Sequence, residues 1–266
     1  MKEMHDLKDT QDLILVAGHA AFKEEVVEVP DQPELDELWI LNPKFQLGEP
    51  PFYVEHIRRG VVLAAANPLA MLMFSGGVTR EDTHWSEAST YLEILKHGRC
   101  WIPDAANGNG LRENILARTA TEQYARDSYE NLLFGVCKFY QTTGRYPRQV
   151  TVVSWAFKAT RFSLHRDAIR FPRARFTFDG FNDPIDQDAA WVGEKGTLRD
   201  FIEAPHGTNE ALNKKRRDRN FGSREHGYGA GELGNFIGKL ETLVAAKTEK
   251  LRAKLRENLA FPAVDW

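Results

Sequence analysis

Asp12-Leu13-Ile14-Leu15-Val16-Ala17-Gly18-His19 is the stretch on which the fold turns. An unbroken apolar run of this length that stops at a glycine is the pattern of a strand buried on both faces, not the alternation of a half-exposed one. The same pattern returns at residues 69–74, which lead into Ser75-Gly76-Gly77, and at residues 149–154, Gln-Val-Thr-Val-Val-Ser. Two weaker strands are predicted at residues 115–119 and 175–178.

The segments between these runs read as helices. Residues 53–66 have helix-forming composition, and Pro68 closes them. Residues 86–97 place Ala88, Tyr91, Leu92 and Leu95 at helical spacing behind Ser86 as N-cap. Residues 127–140 open with Asp127 and Glu130 at capping-box spacing and carry an apolar stripe through Leu133, Phe134, Val136, Cys137 and Tyr140. A further helix is predicted at residues 157–169. Strands alternating with helices predict an α/β fold, a Rossmann-like doubly wound parallel sheet. Residues 30–51, rich in proline, read as an excursion over the strand edge, and residues 105–110 as a polar loop.

Two regions follow. Residues 12–183 form the α/β core, and residues 184–266 form a C-terminal extension expected to pack on it. The extension contains the basic run Lys214-Lys215-Arg216-Arg217-Asp218-Arg219 and ends in one long amphipathic helix predicted over residues 233–259, with Leu240, Leu243, Val244, Leu251 and Leu255 on one side.

At 266 residues the chain suits one large domain, and its net charge of −3 offers no global attraction to nucleic acid or an anionic membrane. Cys100 and Cys137 are the only cysteines, which excludes a disulfide framework or a zinc site of cysteines. No segment has the apolar length of a signal peptide core or a membrane span. A cytoplasmic protein with no membrane partner is expected, and any anion-binding function must come from a pocket.

In a parallel sheet the carboxyl ends of all strands share one edge, so strand-to-helix turns far apart in sequence converge on one crevice. Ser75, Gly76 and Gly77 fit either an anion nest of backbone N–H groups or a tight turn. Thr79 and Arg80 follow, Arg80 as a charged donor. Gly18-His19 ends the first strand without a GxGxxG fingerprint, and His19 fits a donor, a general base or a structural loop residue equally. Glu87 lies in the first turn of its helix. Glu122, ahead of the next helix, is the candidate acid/base, while Asp127 is explained in part by capping and Asn131 either faces water or a site. Ser154 ends its strand, and Lys158 and Arg161, three apart, share a helix face suited to phosphate or carboxylate, or form a solvated basic surface. Glu87, Glu122 and Asp127 would bind a hard cation only if they converge; no spacing demands a metal.

At these residues the sequence resembles the YdcF/SanA/ElyC-like family, a domain of unknown function, and within it the intracellular fungal and plant branch. The first strand ending in Gly18, Ser75-Gly76-Gly77, Ser86-Glu87-Ala88, the segment from Glu122 to Asn131, and Phe157 to Arg161 carry the resemblance in the family's order. The branch resemblance continues through Gly207, Leu212, Lys215-Arg216 and Arg219-Asn220, which would make the basic run part of the fold. Lys158 stands where bacterial members commonly place histidine. The resemblance implies a Rossmann-like sheet, a pocket built from these motifs and an association with S-adenosylmethionine.

Three functions are then expected in descending order. The first is an enzyme acting on a nucleotide-like or phosphorylated small molecule: Ser75, Gly76 and Gly77 cradle the anion, Arg80, Lys158 and Arg161 neutralise it, and Glu122 and His19 supply acid/base chemistry. The second is a non-catalytic module binding S-adenosylmethionine or a nucleotide in the same pocket. RNA binding through the basic run ranks last, since no aromatic-flanked RNA motif accompanies it.

Overall fold

The computed structural model describes residues 6–26, 28–29, 31–97, 110–222, 227–228 and 233–266. Five strands, β1 (Asp12–Ala17), β2 (Ala70–Ser75), β3 (Thr119–Glu122), β4 (Val150–Ser154) and β5 (Phe176–Gly180), form one sheet in the order β3-β2-β1-β4-β5, with every pairing parallel. This is the Rossmann-like sheet that the alternation predicts. All residues of β1 and β2 are buried, as their unbroken apolar runs require.

The two faces of β1 feed two separate hydrophobic clusters, because successive side chains of a strand point to opposite sides. Ile14 and Val16 pack with α1 (Pro50–Ala66), α2 (Glu87–His97) and Ile115 of α3 (Leu111–Ala117). Leu13, Leu15 and Ala17 pack with α4 (Ser128–Thr143) and with Phe162 of α5 (Ala159–Ala168). The chain winds outward from β1 through β2 to β3 and returns to place β4 on the other side of β1. The order therefore reverses between β1 and β4, and the crevice of such a sheet opens at that switch point.

The extension folds as α6 (Gln187–Glu203), α7 (Glu210–Arg217), α8 (Leu233–Ala245) and α9 (Glu249–Glu257). Phe201, Leu212, Phe236, Ile237 and Leu240 belong to the same buried cluster as Leu13, Leu15 and α4, so these helices share the core of the sheet.

Several boundaries differ from expectation. The strand predicted at residues 115–119 is the end of α3 followed by β3: Ile115 is buried as a helical side chain, and the buried Arg118 guanidinium donates to the carbonyls of Ala64, Asn67 and Ala70, tying α1 to β2. The helix predicted from residue 157 begins as a 3₁₀ turn, Ala156–Lys158, before α5. The single helix predicted over 233–259 is two. Thr248 caps α9 by accepting from the Leu251 N–H at 3.3 Å, and Arg252 donates to the Ala246 carbonyl at the end of α8 at 2.7 Å, leaving Leu251 exposed. Most of the loop expected at 105–110, and Cys100, lie outside the described residues. Among the described residues no helix is long and apolar enough to cross a membrane.

Candidate functional site

A cavity of about 270 Å³ opens at the carboxyl ends of β1 and β4, between Ala17-Gly18-His19 and Ser154-Trp155. Of the predicted residues, Gly18, His19, Glu87, Asp127, Asn131, Ser154, Lys158 and Arg161 line it. Thr79 and Arg80 line a smaller adjoining cavity of about 120 Å³, which shares His19, Glu87 and Arg219 with the first.

The expected anion nest is absent. Gly76 N–H donates to the Glu122 carbonyl at 3.0 Å, Gly77 N–H to the Ala125 carbonyl at 2.7 Å, and Gly18 N–H to the Ser75 carbonyl at 2.8 Å. With these donors already bonded, Ser75, Gly76 and Gly77 cannot cradle a ligand, and none of them lines either cavity. The glycines serve a close approach instead: a Cβ on Gly18 would lie 2.6 Å from the Glu87 Cβ, and one on Gly76 would lie 2.6 Å from the Glu87 Oε2. They make room for a carboxyl group.

Glu122 is not the acid/base of this cavity. It ends β3 fully buried, accepting from Ser75 Oγ at 2.6 Å, Tyr124 N–H at 2.7 Å and the Tyr228 hydroxyl at 3.3 Å, and it lines neither cavity. Burial pushes its carboxyl up to about 7. Glu87, on α2, is the carboxyl that reaches both cavities. Burial raises it, against the Arg219 charge and a hydrogen bond from Thr79 Oγ1 at 2.9 Å.

Asp127 is structural. It caps α4 by accepting from the Glu130 N–H at 2.9 Å and pairs with the fully buried Arg216 at 2.7 Å. Glu130 does not complete the predicted capping box; its carboxylate accepts from the Arg126 backbone and guanidinium. Glu87, Glu122 and Asp127 thus do not converge as a cation site, and among the described residues no cluster of His, Cys, Asp or Glu has metal-holding geometry. Asn131 faces the site edge, donating to the Ser75 carbonyl and hydroxyl at 2.9 Å each.

The cationic wall comes from two segments far apart in sequence. Lys158 and Arg161 follow β4; Lys215 on α7 and Arg219, just past its end, approach from the extension. Arg161 is held by the buried Glu194 of α6, its Nε donating at 3.0 Å. Lys158, Lys215 and Arg219 have no carboxylate ion-pair partner among the described residues. Burial, then the Arg161 charge, pushes the Lys158 ammonium down to about 7; burial, then the Arg219 charge, does the same to Lys215. Arg219 is lowered chiefly by burial. Lys158 Nζ donates to His19 Nδ1 at 3.3 Å, and burial with the adjacent Lys158 charge holds His19 well below 6.5, so the imidazole is neutral.

The cavity is also lined by Glu49, hydrogen-bonded by the Tyr53 hydroxyl at 2.8 Å, and by the aromatic rings of Phe45, Trp155 and Phe157, the last lying 5.7 Å from Lys158 Nζ. Ser154 Oγ is buried without a hydrogen-bond partner. The sequence reading did not single out Glu49 or Glu194. Glu194 carries no local signal because its role is defined by a partner on α5, and Lys215 and Arg219 were read only as members of a basic run, not as site residues.

No family model matches this chain, and no solved structure matches it. It is similar to an uncharacterised protein of Saccharomyces cerevisiae, YOR238W, at 24% identity over 252 residues, covering 79% of this chain and 83% of the yeast protein.

Proposed function

We propose that this protein is an enzyme that binds a phosphorylated or nucleotide-like small molecule in the cavity at the β1/β4 switch point and acts on it there. The observation that carries the proposal is the convergence of Lys158, Lys215 and Arg219 on one concave site, none of them in an ion pair with a carboxylate among the described residues, although Glu87 and Glu194 lie near enough to offset part of their charge. Three positive groups brought together out of bulk water repel one another, and an anion between them relieves that cost. Arg161, aligned by Glu194, adds a planar donor, and the aromatic wall offers an apolar surface to the remainder of the ligand.

A second reading, binding of S-adenosylmethionine without catalysis, draws support from Glu49 and Glu87, whose carboxyl groups would face its positive centres while the cations face its carboxylate.

Sulfate is a suitable probe for the anion subsite, since its charge is constant across neutral pH. Because Lys158 and Lys215 titrate near 7, sulfate affinity is expected to fall about tenfold or more between pH 6 and pH 8.5. The double variant Lys158→Met/Lys215→Met should lose both the affinity and its pH dependence in calorimetric titration. Undiminished sulfate binding by this variant, in a folded state, would overturn the proposal. Calorimetry with S-adenosylmethionine and with adenosine monophosphate separates the two readings: the enzyme reading expects the phosphate ester to bind more tightly.

A further inference from the structure

Of the two lysines of this site, only Lys158 has a side-chain hydrogen bond among the described residues: its Nζ lies 3.3 Å from His19 Nδ1 while lining the cavity, and the guanidinium groups of Arg161 and Arg219 are engaged by Glu194 and the Arg126 carbonyl. The side chain leaves a short anchored segment, for Lys158 N–H donates to the Trp155 carbonyl at 3.0 Å and Ala156 N–H to the Asn182 carbonyl at 3.0 Å. The His19 ring is itself fixed, with ring centroids 5.5 Å from Tyr53, 5.2 Å from His56 and 5.6 Å from Trp155. With Nδ1 accepting from Lys158, the His19 proton sits on Nε2, a buried nitrogen with no other partner. Lys215 lines the same cavity with no side-chain hydrogen bond among the described residues.

We infer that Lys158 is a Schiff-base lysine, condensing with the carbonyl carbon of an aldehyde or ketone whose anionic group is held by Arg161, Lys215 and Arg219. The inference rests on the anion-binding reading above and adds the reacting functional group of the substrate. The Lys158 amine forms the N–C bond with its lone pair while the C=O π pair moves to oxygen, and one nitrogen proton then passes to His19 Nδ1. Oxygen takes the proton from His19, giving a carbinolamine. The second nitrogen proton and the hydroxyl then depart as water, leaving a C=N bond. One amine and one carbonyl give one imine and one water, with no oxidant or reductant.

Such lysines need to be amines near neutral pH, and desolvation beside other cations is the means. The charged or titratable groups around Lys158 include His19 after β1, Glu49 before α1, His56 on α1, Glu87 on α2, Arg161 on α5, Glu194 on α6 and Lys215 on α7. Burial and the cations outweigh the carboxylates, and roughly half of Lys158 is amine at pH 7.

Pyridoxal 5′-phosphate, which joins an aldehyde to a phosphate, is the probe. The full chain is incubated with it, reduced with borohydride and mapped by peptide mass spectrometry. The expected result is an adduct on Lys158 that forms about tenfold or more faster at pH 7 than on any surface lysine and levels off above pH 7. Sulfate should suppress it, and the Lys158→Arg variant should lose it with no adduct appearing on Lys215. Sulfate binding without a Lys158 adduct, or with the adduct on Lys215, overturns this inference and leaves the anion site standing. Labelling of Lys158 that sulfate does not suppress, or that is no faster than at surface lysines, overturns it equally. Failure of both sulfate and the aldehyde to bind overturns the anion reading and this inference with it.

Discussion

Glu122 and Glu87 were both exposed to the same sequence logic, a carboxylate near a strand-to-helix turn, and the difference between them is where the side chain points. Glu122 ends β3 and folds back onto Ser75 and Tyr124, while Glu87 extends over two glycines into the cavities. The buried Glu122 has a consequence for stability. Its carboxyl is raised to about 7 in the folded chain against 4.5 for the free group, so between these values the folded state keeps a proton that the unfolded state has lost. Stability then falls with rising pH at about 1.36 kcal/mol per pH unit, on the order of 3 kcal/mol in total, and levels off above pH 7. Glu122→Gln removes this slope. Denaturant melts at pH 5 and pH 8 should show the variant gaining on the parent at the higher pH; parallel behaviour at both would contradict the burial of a titrating carboxyl there.

At the scale of elements, α4 and α7 are joined through Arg216, which pairs with Asp127 and Glu130. Burial opposes ionisation of Asp127, yet the Arg216 guanidinium at 2.7 Å holds its carboxyl well below the usual range. Truncation by Asp127→Ala removes the cap of α4 and takes from a fully buried guanidinium its nearer carboxylate, leaving Glu130 at 3.3 Å and the His206 carbonyl at 3.1 Å. The expected cost is about 3–5 kcal/mol at pH 7. Asp127→Asn keeps the acceptor for the Glu130 N–H but not the charge and should fall between. Because the folded carboxyl is depressed, this stabilisation is present above the unfolded pKa and is lost as the pH falls through the folded one. The gap between parent and Asp127→Asn should therefore narrow in acid urea titrations, and a gap independent of pH would rule out the ion pair as its source.

Helix boundaries show which elements local chemistry could declare. β1, β2, β4 and α4 stand out because long apolar runs and an N-cap aspartate leave few alternatives. Residues 233–259 kept a helical stripe across a break, since nothing between Ala246 and Thr248 forbids helix: there is neither proline nor glycine. The break is made by Arg252 reaching back to Ala246, a contact that exists only once the chain has turned. The 3₁₀ turn before α5 was equally hidden, and it is the turn that aims Lys158.

For the whole molecule, the extension is neither appended tail nor separate unit by its packing. Phe201, Leu212, Phe236, Ile237 and Leu240 complete the cluster begun by Leu13, Leu15 and Phe134, and Lys215 and Arg219 complete the cavity wall. A chain ending at residue 183 would expose that apolar face to water, at about 25 cal/mol per Å² of uncovered surface. It is expected to lose cooperative thermal unfolding and sulfate binding together. A sharp melt close to that of the full chain would instead make residues 12–183 an independent domain.

Taken by itself, the sequence determined the parallel α/β sheet, the approximate places of its strands and the edge at which a site would form, because buried strands and glycine turns are written in local composition. It also placed Gly18, His19, Glu87, Asn131, Ser154, Lys158 and Arg161 at that edge. Only the tertiary structure decided which of them act together. Backbone donors at Gly76 and Gly77 are consumed by Glu122 and Ala125, Asp127 is claimed by Arg216, Arg161 by Glu194, and the basic run is split between the core and the cavity. Each is a matter of a partner distant in sequence. A side chain's charge, exposure and chemistry are set by the neighbours folding brings to it, which no local pattern records.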